Sequence, residues 1–450
     1  MNRAFIFKVI GIFMLTMLMS WAVSYVNSLI LERQNRQEQV KVEIARSSAG
    51  EQTITGPVLA VPYYEDYPVT TTENEVSKTQ IYRETHTAYF LPENLELAGG
   101  FSNESKKLGI YKALMYLLSG TVKGNFNLPA NFNITTTHTG GKVTILPAYI
   151  SLGISDTRGI SGKPELVWNS QTYKFEQGSN TSLGNGIHAS VGQLDLPQAQ
   201  NFAFEFTLTL QGMENFNFTP IAENNSIALQ SGWKHPHFNG SFLPVTKSIN
   251  DAGFSGKWTV SSLSSTNQTA IMANLATNTQ SRPLESLSIG FVEPINVYSQ
   301  SDRATKYGLL FIGLTFAGFF IFESLKRLRI HPAQYTFVGL AMALFYGLLI
   351  SLAEHISFAL AYLTASLACV SLLGYYLSYV LKSRTNGLIF ASLLTTLYGA
   401  LYGILASEDN ALLMGSLLVF ALLAVTMIIT RKVDWYQISS NTVKSTMDAV

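Results

Sequence analysis

The stretch "SLAEHISFALAY", Ser351–Tyr362, places a glutamate beside a histidine in the most apolar part of a 450-residue chain. The apolar run around it extends from Ala333 to Val380. As a single helix it would reach about 72 Å, more than twice the ~30 Å hydrocarbon core of a bilayer. The run must therefore fold back. Glu354 is its only charged side chain, and His355 is the only other ionisable group of comparable polarity. The pair is expected to mark a tight turn between two membrane-spanning segments.

Working outward, an earlier apolar segment, Tyr307 to Leu325, ends at "KRLRIHP", where Pro332 suits the first turn of a new helix. Two later segments, Leu388–Ala406 and Ala411–Ile429, are separated by "SEDN" and closed by Arg431 and Lys432. Near the N-terminus, Phe5–Leu31 is about 27 residues of apolar sequence. A secretory h-region has about 7 to 15 and ends in a small-residue cleavage site, so an uncleaved anchor is expected. The total is six spans. Orientation follows from Lys and Arg in the short loops. Arg3, Lys8, Lys326, Arg327, Arg329, Lys382, Arg384, Arg431 and Lys432 fall on one side, which is taken as cytoplasmic. The opposite short loops carry Glu354, His355, Glu408 and Asp409, with no Lys or Arg.

Composition agrees with this partition. Charged residues make up 13% of the chain, roughly half the usual share of a soluble protein. The net charge of +1 provides no basic field for a nucleic acid. The single cysteine, Cys369, excludes an intrachain disulfide framework and a Cys-based zinc site. No cofactor is expected. The expected organisation is an N-terminal transmembrane anchor at 1–31, a β-rich periplasmic domain at 32–302, a five-helix transmembrane bundle at 303–432 and a cytoplasmic tail at 433–450.

The large loop opens with "LERQNRQEQVKVEIARS", expected to extend the first span as a helix until "VKVEI" takes on strand-like alternation. Short runs rich in Val, Ile, Phe, Thr and Tyr follow, among them "TGPVLAVPYY", "NSIALQSGW", "GFSGKWTVSSL" and "ESLSIGFVEPINVY". In "NFAFEFTLTL", Phe202, Phe204, Phe206, Leu208 and Leu210 share one face of a strand. "YKALMYLLSG" suits a buried helix or a strand equally. The loop has room for two sandwich-like subdomains, with a boundary near Pro197.

Candidate chemistry is sparse. In "GWKHPHFNG", His235 and His237 stand two apart and could offer two nitrogens to zinc or copper, but nearby carboxylates are few and packing is the better reading. In "SDTRGISG", Asp156 can accept backbone N–H bonds while Arg158 pairs with a carboxylate elsewhere, fixing a loop. Glu323 stands three and four residues before Lys326 and Arg327, which reads as helix-end pairing at an interface. Gly399 and Gly403 suit close helix packing, and Tyr375 and Tyr379 an interface or packing face. No phosphate loop, nucleophile elbow or H-E-x-x-H motif is present.

The stretch Arg303–Ala365, together with "TGPVLAVPY", "DTRGI" and "SGWKHPHFNGSFLP", closely resembles the CreD family of bacterial inner-membrane proteins, also described as cell-envelope-integrity proteins. The resemblance covers nearly the whole chain in order. It implies an N-terminal anchor, a large periplasmic domain and a C-terminal membrane bundle, and an association with envelope stress and colicin tolerance. It implies no catalytic residues. The family usually has Trp-Pro-His-Pro-Ser-Phe where this chain has Trp233–Phe238 with Lys234 and His237, so the second histidine is a local substitution. Candidate functional residues are Arg303, Glu323, His331, Gln334, Glu354, His355 and His235.

The expectation is therefore a multi-pass inner-membrane protein with both termini cytoplasmic, acting without catalysis in envelope integrity through a periplasmic domain that binds a protein, lipid or peptidoglycan component. Two rivals are a transporter or exporter of an amphipathic envelope component, and a membrane-surface enzyme using Glu354 and His355 as base and partner.

Overall fold

A computed structural model describes residues 3–431 apart from 74–75, 292, 294–295, 327–329 and 408–410. The chain divides into a helical unit, Met1–Glu38 with Ile295–Val450, and a β unit, Gln39–Pro294. Helix α1, Arg3–Ser47, contributes to both.

In the helical unit, α1 is followed after the β unit by α3 (Val297–Lys306), α4 (Gly308–Lys326), α5 (Pro332–Ala353), α6 (Phe358–Val380), α7 (Arg384–Ala406) and α8 (Ala411–Thr430); α2 (Asn267–Thr277) belongs to the β unit. Among the described residues α1, α5, α6 and α7 are long and apolar enough to cross a membrane. The pair α3 and α4, bent by 42°, adds a fifth if counted as one broken span. The chain reverses between α5 and α6 at Glu354–Ser357, where the opening glutamate and histidine stand. The expected strand run "ESLSIGFVEPINVY" is a strand over Leu287–Phe291 and departs from expectation at its end. Its last residues open α3, because Asn296 caps the helix by accepting from the Tyr298 N–H at 2.9 Å.

α1 is a full member of this bundle. Met19 and Val23, four residues apart on one helical face, are buried, while Trp21 is exposed. Close approach depends on glycines other than the expected pair. A Cβ at Gly339 would come within 2.7 Å of Met19 and Phe316, and one at Gly308 within 2.8 Å of Val23. At Gly399 nothing lies within 4 Å, and Gly403 meets only the end of Met414. Tyr375 and Tyr379 pack edge to face on an exposed side of α6.

The β unit contains eighteen strands among its described residues. In chain order they are β1 (Gln52–Glu73), β2 (Val76–Phe90), β3 (Asn94–Leu108), β4 (Tyr111–Leu128), β5 (Lys142–Ile145), β6 (Ala148–Ile154), β7 (Ile160–Ser161), β8 (Glu165–Trp168) and β9 (Gln171–Lys174). There follow β10 (Glu176–Gln177), β11 (Gly186–Gly192), β12 (Gln200–Met213), β13 (Asn215–Thr219), β14 (Asn224–Ser231), β15 (Pro236–Gly240), β16 (Thr246–Asn250), β17 (Gly253–Ser261) and β18 (Leu287–Phe291). One sheet runs β10-β11-β6-β1-β13-β18-β15, with β2 and β5 also on β1. The other runs β16-β17-β14-β3-β4-β12-β8-β9, with β7 on β12.

One cluster of buried side chains unites the sheets, from Leu59, Ile150 and Phe216 of the first to Leu97, Phe206 and Trp258 of the second. A boundary near Pro197 is therefore ruled out. β12, which follows it, pairs along its full length with β4, and β13 runs parallel to β1. The chain switches sheets at Glu214, which takes a left-handed φ of 57°. In β12 the five expected side chains are buried and the residues between them are exposed or half-buried. "YKALMYLLSG" begins β4. Neighbours on both sides, β3 and β12, satisfy its backbone, which favours a strand over a helix.

"VKVEI" is helical instead of extended. Val40 and Ile44, four apart, are 4% and 6% exposed, whereas Val42, which would share their face in a strand, is 52% exposed. Lys41 on the same helix pairs with Glu214 at 2.8 Å.

One buried carboxylate holds a loop to the β1–β2 hairpin. Glu65 is 1% exposed and accepts the backbone N–H groups of Thr137 and His138 at 2.9–3.0 Å. The His138 ring stacks on Tyr67 at 3.6 Å. The His138 N–H bond is the main cause holding the Glu65 pKa down at about 2, against an opposing effect of burial. A folded pKa below the unfolded one stabilises fully above about pH 4.5, and the stabilisation is lost as pH falls through about 2. Glu65→Gln is expected to reduce hydrogen-exchange protection at Thr137 and His138 at neutral pH, and acidification of the native chain to reduce it only across that window; unchanged protection in the variant would contradict the clamp.

Candidate functional site

The candidate residues separate into three places. Two lie in the helical unit and one in the β unit.

Glu323, three residues from the end of α4, does not pair with Lys326, the described basic residue that follows it. Lys326 is exposed, and Arg327 lies outside the described residues. The carboxylate instead points inward and is 4% exposed. It pairs with Lys8 of α1, accepts the Tyr335 O–H of α5 at 2.8 Å, and accepts the Ile330 N–H at 3.0 Å. A lone carboxylate at that burial would be strongly unfavourable; a cation, a phenol and an amide together offset its desolvation. His331 and Gln334 stand in the same turn and have a local task. His331 Nδ1 accepts the Ala333 N–H, and Gln334 Oε1 accepts the His331 N–H, a reciprocal cap on the first turn of α5, with Pro332 at its start.

Glu354 lies at the other end of α5. It accepts the Tyr298 O–H of α3 at 3.3 Å and lies 3.6 Å from the Arg33 guanidinium of α1. His355, next in sequence, is exposed. Among the described residues no hydrogen bond or ion pair joins it to Glu354. Arg303 is half-buried in the last turn of α3. Nearby, Thr305 donates to Asn27 of α1 at 2.8 Å.

These contacts give α1 a polar tie at each end of its apolar stretch. Lys8 and Arg33 are separated by about 37 Å of helix, and Tyr335 and Glu354 by about 28 Å, bracketing the ~30 Å hydrocarbon thickness.

In the β unit, "DTRGI" forms a joint. Asp156 Oδ2 accepts the Gly50 N–H at 3.2 Å and pairs with Arg158 at 2.6 Å, so the arginine's carboxylate is its near neighbour and not a distant one. Arg158 also donates to the Arg46 carbonyl in the last turn of α1 at 2.5 Å. Its partner, strengthened by this bidentate bonding, has a pKa held below the usual carboxylate range. Gly159 is required here: a Cβ would lie 2.2 Å from the Gln211 carbonyl. The joint is structural.

His235 lines a groove of about 620 Å³ between β15 and β16, each the edge strand of its sheet. Ile249 pairs with the buried Phe254 and Lys247 with Gly256, so both stand on the core-facing side of β16. That side is uncovered: Leu243, Val245 and Ile249 are 66%, 69% and 49% exposed. Among the described residues no carboxylate lines the groove, whereas Lys234, Lys247, His235 and His237 do, Lys234 being paired with Asp251 at 3.5 Å. An inward lysine on an edge strand also discourages strand-to-strand aggregation, which is the bland reading. Sequence reading passed over Leu243, Val245 and Ile249. Their alternation with Thr246, Ser248 and Asn250 is a strand signal, but only strand order reveals that nothing covers the apolar side. Among the described residues no group of three or more His, Cys, Asp or Glu could hold a metal ion.

Glu323→Ala leaves Lys8 and the Tyr335 hydroxyl without their acceptor. It is expected to destabilise the detergent-solubilised protein by about 1–3 kcal/mol. Lys8→Met should be costly alone but add little to Glu323→Ala, the non-additivity of a shared contact. Fully additive losses in thermal unfolding would sever the pair.

Comparison with known proteins agrees with the architecture. One solved structure, from Legionella pneumophila, aligns with a TM-score of 0.25 at 9% identity, covering 58% of this chain and 80% of that one, too weak a likeness to carry an argument. The inner membrane protein CreD of Escherichia coli strain K12 is 31% identical over 442 residues, 98% of this chain and 96% of that protein. The family described as Inner membrane protein CreD matches residues 4–436. The chain therefore belongs to the CreD family of inner membrane proteins.

Proposed function

We propose that this protein is a noncatalytic component of envelope integrity and stress tolerance, which presents its β unit in the periplasm to bind an envelope protein. The observation that carries this reading is the open, cationic, apolar-lined edge between β15 and β16. Its occupant is an extended peptide segment that adds to the free edge of β16, turns apolar side chains toward Leu243 and Ile249, and meets Lys247 with a carboxylate. Charge complementarity at Lys247 favours that occupant, because Lys234 already pairs with Asp251 and no acid lines the groove among the described residues.

The proposed topology has six spans, with α8 and the α3–α4 pair each counted as one, and both termini in the cytoplasm. Lys and Arg in the short loops support it. The division of Glu354 from His355 supports a noncatalytic role, since a base needs its partner within hydrogen-bond reach. Burial of Glu323 near a helix end, held by three partners, supports a tie within the bundle over an ion relay in a transporter.

In a strain lacking this protein, the double variant Lys247→Glu, Ile249→Asp is expected to abolish protection against envelope stress at unchanged protein level. A photoreactive residue at Leu243 should crosslink a protein in wild-type background and lose it in the variant. Full protection by the variant would remove the groove from the function.

A further inference from the structure

A second cavity of the β unit, of about 480 Å³, lies on the outer face of the first sheet, away from the groove between β15 and β16. Its floor is a row of neutral polar side chains from two parallel neighbours, Thr53 and Thr55 of β1 beside Asn217 and Thr219 of β13. These groups are aligned by pairing: Thr55 donates to Thr219 at 3.2 Å, and Asn217 to Thr53 at 3.4 Å. Thr219 is 2% exposed, and no acceptor for its own O–H proton occurs among the described residues. Helix α2 forms one wall and the segment 280–286 another.

Arg282 is the only charged side chain lining this cavity among the described residues. Its side chain is exposed, and its backbone is held. Asn274 of α2, 5% exposed, accepts the Arg282 N–H and donates to the Arg282 carbonyl, both at 2.9 Å. The guanidinium itself makes no ion pair among the described residues. Glu285, the nearest carboxylate in sequence, accepts from Ser265 and Thr266 at the start of α2. The result is an exposed cation beside a bed of hydroxyl and amide groups, with no acid lining the cavity among the described residues.

We propose that this cavity binds a small oxyanion, a carboxylate or phosphate carried on a polar, hydroxylated molecule, with Arg282 taking the charge in bidentate fashion and the Thr53–Thr219 row taking its hydroxyl groups. Among the described residues no aromatic ring lines the cavity, so recognition depends on charge and hydrogen bonds instead of ring stacking. The site is independent of the peptide groove and stands whether or not that groove has an occupant.

The test is titration calorimetry of the full chain in lipid nanodiscs at low salt, with inorganic phosphate, glucuronate and glucose as separate probes. Saturable binding of phosphate alone assigns a phosphorylated ligand, and of glucuronate alone or more tightly a carboxylated sugar. Glucose, lacking the charge, should bind at least about tenfold more weakly than the better anion. Arg282→Gln is expected to weaken binding about tenfold or more with an unchanged melting temperature, because the backbone and not the side chain holds the segment. Arg282→Lys should keep most of it, and Thr219→Val should weaken it several-fold. Absence of saturable binding by either anion, or binding that Arg282→Gln leaves untouched, would overturn the proposal.

Discussion

A carboxylate inside a low-dielectric slab must find a cation and hydrogen-bond donors, and this requirement organises the helical unit. Glu323 and Glu354 each gather a basic residue of α1 and a tyrosine hydroxyl from a further helix. Between those two ties the contacts are close and mostly apolar, with Met19 and Val23 set against glycines of α5 and α4 and one hydrogen bond from Thr305 to Asn27. In lipid the hydrophobic effect no longer favours helix association, so such polar ties and small-residue contacts carry the specificity of packing. The N-terminal helix is thereby a structural member of the bundle, not a detached anchor.

The β unit solves a different problem. Its two sheets enclose a single aromatic-rich core, and long strands such as β4 and β12 settle their backbone hydrogen bonds within the sheet. Sandwiches must end, and their edges are where unpaired backbone and uncovered side chains remain. Here the edge at β15 and β16 remains apolar on its inner side and cationic at its rim. On the outer face of the first sheet α2 packs through an apolar cluster that includes Val58 and Ile271, and the cavity beside it has a neutral polar floor with Arg282 on its wall. The unit thus has two chemically distinct surfaces, for which an extended chain and a small anion are the proposed occupants.

Much of the architecture was legible in the sequence because it rests on one-dimensional quantities. The reversal at Glu354 follows from the length of the apolar run, and the face of β12 follows from strict alternation at Phe202–Leu210. What was hidden depends on partners distant in the chain. Glu323 has basic residues three and four positions on, yet its cation is Lys8, 315 residues away, and local spacing cannot announce that choice. β-branched residues suggested a strand at Val40–Ile44; tertiary burial of two of them at helical spacing prevailed over propensity. Pro197 seemed a boundary because composition does not reveal that β12 returns to β4. The groove at Ile249 and the cavity at Arg282 required strand order and a helix packed over a sheet, neither of which periodicity encodes.

In the proposed topology the β unit faces the periplasm while the short basic loops face the cytosol. The most direct measurement of that topology is cysteine accessibility in intact cells, in a Cys369→Ala background, with a membrane-impermeant maleimide. A cysteine at Leu263, 97% exposed in the β unit, should label once the outer membrane is made permeable, and one at Lys382 only after the inner membrane is breached. Labelling in the reverse order would contradict the account.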